Sequence, residues 1–149
     1  MKDRIPLQII DNRLTLAAVI DCDSLRIHKK LVQFVVDTGS QASFLSPKEA
    51  QRLQIALQEK KRSGEVELAG SLFHQVDLPE TKFTLLSDHR TPVVIKVKIS
   101  ALRTPKTKEE KILQASTLPS LLGIDFLRQT KLSLHVIMHE EMAYLECDE

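Results

Sequence analysis

The stretch Phe34-Val35-Val36-Asp37-Thr38-Gly39-Ser40-Gln41-Ala42-Ser43-Phe44-Leu45 constrains this chain more than any other. An apolar strand delivers a single acid, Asp37, into a tight turn, and a second apolar strand leaves at once. Such a turn is a poor resting place for an ionised carboxylate unless the carboxylate has work to do. Thr38 combines a β-branched body, suited to extended backbone, with a hydroxyl able to fix a neighbouring loop. Gly39 permits positive φ and the close approach of another backbone. Ser40 is placed to donate a hydrogen bond to Asp37 and so favour the charged carboxylate. Far downstream, Leu121-Leu122-Gly123-Ile124-Asp125-Phe126-Leu127 is a second apolar strand broken by glycine.

At 149 residues the chain reads as one domain, 1–149, able to bury about 70% of its unfolded surface. A net charge of +1 implies no general attraction to nucleic acid or acidic lipid. Aromatic residues are 4% of the chain and tryptophan is absent, which argues against base stacking. No nucleic-acid or membrane partner is expected. Cys22 and Cys147 lie far apart and form no CxxC; a reducing compartment is the simpler reading, with a single bridge left open. Met1-Lys2-Asp3-Arg4 leads into no long apolar run, so neither signal peptide nor membrane span is read, and the expected location is cytosolic. A domain excised from a polyprotein would look the same.

Along the chain, alternation through Leu14, Leu16 and Ala18 predicts a first strand ending near Asp21. A turn over 21–24 and a return strand over 27–36 make a hairpin that feeds Asp37, with Lys29 and Lys30 at its exposed end. Ser46-Pro47-Lys48-Glu49 has capping-box spacing with proline at the first helical position, and Ala50, Leu53 and Leu57 extend it to a short helix over 47–57. The charged run 59–62 reads as a solvated loop. Residues 64–75 read as a hairpin with Ala69-Gly70-Ser71 at its tip. Two strands, 82–86 and 92–100, flank a turn at 87–90. Residues 102–119 form a long insertion, in which Thr107-Lys108-Glu109-Glu110 could start a short helix. A strand over 118–122, a short helix over 124–129 and a final hairpin, 131–137 and 142–147, complete the chain. Asp125 is read as a structural acid within that helix. His135 and His139, four apart in a hairpin without an HExxH pattern, give no reason to expect a metal; no cofactor is expected.

Val35-Val36-Asp37-Thr38-Gly39-Ser40 with Ser43-Phe44-Leu45 resembles the active-site loop of aspartic proteases. Paired with Leu121-Leu122-Gly123-Ile124-Asp125-Phe126-Leu127, it is similar to the retropepsin-like, retroviral and retrotransposon branch. The resemblance spans roughly residues 16–145. It implies an all-β fold, a closed retropepsin-like barrel with one or two short helices and one lobe per chain. It also implies an aspartic endopeptidase in which Asp37, Thr38 and Gly39 carry the chemistry. Peptide or polyprotein substrate would lie against Gly39, Ser40, Gln41 and the hairpin tip Ala69, Gly70 and Ser71, the position of the substrate-covering flap. Amide hydrolysis by this route needs two carboxylates at near contact, and the chain has Asp-Thr-Gly once. The second acid is therefore expected from a second copy in a homodimer.

The chain departs from the viral pattern at several points. Gln41 stands where viral enzymes carry an acid, and Ile124 where they carry an arginine, so an interface ion pair is lost from both sides at once. The flap lacks a glycine-rich tip, and the insertion at 102–119 exceeds what compact viral relatives need. Two rivals stay open: a catalytically silent binding or dimerisation module on the same fold, and an unrelated β-protein in which Asp37-Thr38-Gly39 is only a turn.

Overall fold

The computed structural model describes residues 3–68, 70–104 and 117–147. Among them the structure is built almost wholly of strands. β1 (Arg4–Pro6), β2 (Gln8–Ile10), β3 (Arg13–Cys22) and β4 (Ile27–Val36) come first, then β5 (Phe44–Leu45) and a helix, α1 (Pro47–Arg52). β6 (Gly64–Leu68), β7 (Ser71–Asp77), β8 (Thr81–Leu86), β9 (Pro92–Val97) and β10 (Ser100–Arg103) follow. β11 (Ser120–Leu122), α2 (Ile124–Thr130), β12 (Leu132–Ile137) and β13 (Met142–Cys147) end the described chain. The strands form two sheets. One is ordered β1-β13-β12; the other runs β6-β7-β10-β5-β11-β4-β3-β8-β9, with β2 paired to β3.

The main core is assembled by alternation. On β4, Val32, Phe34 and Val36 are buried while Leu31 and Gln33 face out; on β8, Thr81, Phe83 and Leu85 are buried. Phe83 is central, with its ring centroid 5.4 Å from that of Phe34 and 6.1 Å from that of Phe126. Strands β5, β10 and β11, and the last two residues of β4, are covered on both faces. Phe34, Val36, Leu45, Ala101 and Leu122 join the main core, whereas Phe44, Leu102 and Leu121, with Phe73, form a second apolar cluster. Double burial explains why these segments read as unbroken apolar runs.

The expected hairpins are present, and four expectations need correction. The N-terminal stretch holds two further strands: β1 pairs with β13, and β2 pairs with β3. Asp11 and Asn12, both at positive φ (51° and 61°), make the two-residue turn between β2 and β3. The helix expected over 47–57 stops at Arg52. Gln54 turns left-handed (φ 59°), and the Ile55 and Gln54 amides bond the carbonyls of Ala50 and Gln51, closing the helix end with Ile55 and Ala50 both buried. Leu57 still reaches the core, from a separate short 3-10 turn. The strand expected over 92–100 breaks at Lys98-Ile99, because β9 follows β8 whereas β10 crosses to pair with β7 and β5. The insertion therefore begins after a buried strand; residues 105–116, including the helix expected there, lie outside the described residues.

Ser46 caps α1 by accepting the Glu49 amide at 3.2 Å. Glu49 does not complete the capping box: its carboxylate pairs with Arg52, and the Ser46 amide instead donates to buried Ser120 Oγ at 2.9 Å. Lys29 and Lys30 are exposed as expected, and the Lys29 amide bonds Asp21 Oδ1 where the β3–β4 register slips. Cys22 is buried and Cys147 half-buried, and no disulfide joins them. Among the described residues no helix is long and apolar enough to cross a membrane.

Phe83→Ala should cost about 3–5 kcal/mol of stability by denaturant unfolding. Leu86→Ala, one face over on the same strand and 58% exposed, should stay within about 0.5 kcal/mol.

Candidate active site

The Asp37 turn sits where three strands meet. β4 and β5 are neighbours in sequence but not in the sheet, since β11 lies between them, parallel to β4 and antiparallel to β5. The loop from Asp37 to Ala42 must therefore cross the C-terminal end of β11. Gly123 occupies the crossing point. A Cβ there would fall 2.7 Å from the Ala42 carbonyl oxygen and nearer still to that of Ser40. Backbone against backbone leaves room for glycine alone.

The crossing is held by hydrogen bonds from both sides. Asp37 N–H donates to the Leu122 carbonyl at 2.9 Å, Ile124 N–H to that of Ser40 at 2.9 Å, and Asp125 N–H to that of Gln41 at 3.2 Å. Ser43 and Asp125 add a side-chain link. Gly123 N–H donates to Ser43 Oγ at 2.8 Å, and Ser43 Oγ donates to Asp125 Oδ1. Ser43 N–H donates to Asp125 Oδ2 at 3.2 Å, and Phe126 N–H to Asp125 Oδ1 at 2.7 Å. Asp125 is thus the structural acid expected of it, though its partners are mostly across the loop. Gly123 and Ser43 were legible only as a glycine in an apolar run and a serine before a strand.

Asp37, Thr38, Gly39 and Gln41 are exposed on this single chain, and Ser40 is half-buried. The Asp37 carboxylate accepts the Gly39 amide at 2.8 Å. This corrects the expectation for Ser40: its hydroxyl donates to the Ala42 carbonyl at 2.7 Å, and only its amide reaches Asp37, at the backbone carbonyl. Gly39 is corrected as well. Its φ is not positive; what favours glycine is proximity, since a Cβ would lie 3.1 Å from Asp37 Oδ1.

The hairpin β6–β7 turns tightly, with Leu68 opposite Ser71 and Gly70 at φ 77°. Ala69 lies outside the described residues. The hairpin and the Asp37 turn share one apolar floor: Val66, Leu68 and Phe73 from the hairpin meet Phe44, Leu102 and Leu121, with Val35 and Ala42 from the strand and loop carrying Asp37. Val66 and Leu68 alternate with Glu65 and Glu67 in the sequence, but Phe44, Leu102 and Leu121 were not singled out, because runs buried on both faces carry no alternation. The hairpin base is anchored by Ser63 and Ser100 hydroxyls on Asp77 Oδ1, at 3.0 and 3.1 Å.

A β-rich lobe with an Asp-Thr-Gly loop threaded over a central strand defines a retropepsin-like fold. The chain belongs to the gag-polyprotein putative aspartyl protease family, whose model matches residues 24–129. Among solved structures it is similar to a retropepsin-like aspartic protease from Rickettsia conorii. That likeness has 15% identity and a TM-score of 0.59, covering 99% of this chain and 93% of the other. No protein of curated function matches the sequence. Family and fold set aside the unrelated-turn reading.

Gly123→Ala should destabilise the protein by about 1–3 kcal/mol or more, because the added methyl meets carbonyl oxygens and not flexible side chains. Denaturant unfolding checks this, with Gly64→Ala as control: its Cβ would meet only the end of the Gln75 side chain, at 3.5 Å.

Proposed function

We propose that this protein is an aspartic endopeptidase that works as a homodimer, with one Asp37 from each copy. The observation that carries the reading is the Asp37 turn itself: an exposed carboxylate on a loop whose backbone is hydrogen-bonded to β11 and α2, in a family of aspartyl proteases. One acid cannot act as both base and acid on the same amide. Two brought to near contact share a proton, since like charges so close cannot both ionise. One then activates water while the other polarises the scissile carbonyl, and the roles reverse toward the leaving amine.

In this reading Thr38 hydrogen-bonds across the two-fold axis and the Gly39 carbonyl faces substrate, with Ser40 and Gln41 beside it. The β6–β7 hairpin, with Ala69, Gly70 and Ser71, covers a peptide held as an added strand. The reading takes the lobe as a closed barrel, and the hydrogen bond from Asp88 N–H to the Arg4 carbonyl, between the β8–β9 turn and the small sheet, supports it. Neutral Gln41 and Ile124 remove an ion pair from the interface, so pairing relies on the remaining contacts.

Asp37→Asn should lower peptide cleavage by about 10²–10⁴-fold without loss of fold, read on a peptide mixture with circular dichroism alongside. Activity per chain should drop on dilution through the dimer dissociation constant. Cleavage by a strictly monomeric species would sink the homodimer. Pairs that form and cleave nothing would instead make the chain a silent module on this fold.

A further inference from the structure

We infer that Asp125 is a positioning residue for Asp37, acting through Ser43; the inference rests on the peptidase reading. Asp125 lies in the first turn of α2, yet the residue at the cap position is Gly123, and one carboxylate oxygen would satisfy a helix start. Here both oxygens are engaged. Oδ2 takes the Ser43 amide, and Oδ1 takes the Ser43 hydroxyl and the Phe126 amide. Two of the three donors belong to the loop that carries Asp37, distant in sequence.

The link admits little variation. Ser43 is 1% exposed, and its hydroxyl has one proton. Because that oxygen accepts the Gly123 amide, the proton is free to go to Asp125. Every atom facing the Asp125 carboxylate is then a donor. An asparagine has the same shape but presents an NH₂ on one side. Turned one way, it opposes the Ser43 amide; turned the other, it opposes the Phe126 amide. Either orientation sets donor against donor and loosens the loop at Ser43. That displacement passes along the short segment Gly39 to Ala42, where the Ser40 and Gln41 carbonyls bond the Ile124 and Asp125 amides. Both Asp125 oxygens are engaged by donors within the fold, so it positions and does not react.

The test compares Asp125→Asn, Ser43→Ala and Ser43→Thr in the full chain. Two readouts are used: steady-state kinetics on a cleaved peptide, and amide hydrogen exchange at Gly39 and Gly123. Loosening should speed exchange at Gly39, the amide that bonds the Asp37 carboxylate, by about tenfold or more in Asp125→Asn and Ser43→Ala. kcat should fall by about 10–10²-fold with KM within about twofold, since misplacement of the reacting group acts on the chemical step. Ser43→Thr keeps the hydroxyl and should restore most of kcat.

Wild-type exchange at Gly39 in folded Asp125→Asn, or a kcat loss matching only the lost dimer fraction, overturns the inference. If Asp125→Asn does not fold, Ser43→Ala decides by the same two criteria. If the wild-type protein cleaves no peptide, the peptidase reading fails separately, and exchange at Gly39 still upholds or overturns the coupling.

Discussion

The structure turns on a crossing. β4 ends in the Asp37 loop, the loop leads to β5, and β11 is inserted between the two from far along the chain. A loop that must pass over the end of a paired strand has little freedom. Its backbone lies against Gly123, and its carbonyls at Ser40 and Gln41 find partners in the first amides of α2. Those amides would otherwise be the unpaired donors of a helix start. Loop and helix thus satisfy each other, and the Asp37 backbone is held at both ends while its carboxylate stays at the surface.

The same insertion divides the interior. With β5, β10, β11 and the end of β4 covered on both faces, one side feeds the main core around Phe34, Phe83 and Phe126, and the other feeds a smaller cluster under the β6–β7 hairpin. The first supplies most of the apolar burial that stabilises the lobe. The second joins the hairpin to the loop bearing Asp37, so that the shape of the region beside the acid depends on Phe44, Phe73, Leu102 and Leu121. Buried serines mark the seams. Ser43 and Ser120 are nearly inaccessible, and the hydroxyl of each bonds backbone or acid across elements distant in sequence. A hydroxyl is small enough to sit where strands converge and still satisfy a buried amide.

Much of this was legible from local pattern. The β3–β4, β8–β9 and β12–β13 hairpins follow from alternation and turn residues, and α2 from the glycine that breaks the Leu121-Leu122 run. The elements missed share a cause. β1, β2 and β10 are short strands whose existence depends on partners elsewhere: β13, β3, and the pair β7 and β5. The end of α1 was missed because Leu57 keeps the helical apolar spacing while arriving from the next turn, after Gln54 has left the helix. Ser40 was assigned to Asp37 by adjacency, whereas the turn brings the Gly39 amide to the carboxylate and sends the Ser40 hydroxyl to Ala42.

The amino-acid sequence alone determined that a lone acid would stand between two apolar strands with threonine and glycine after it, because strand patterning and turn chemistry are local. It also determined that Asp125 would be a structural acid. Only the tertiary structure decided what holds Asp37 in place. Ser43 meets Asp125, and Gly123 lies beneath Ser40, because sheet pairing places β11 beside β4, and contacts between segments so far apart leave no trace in the spacing of either one.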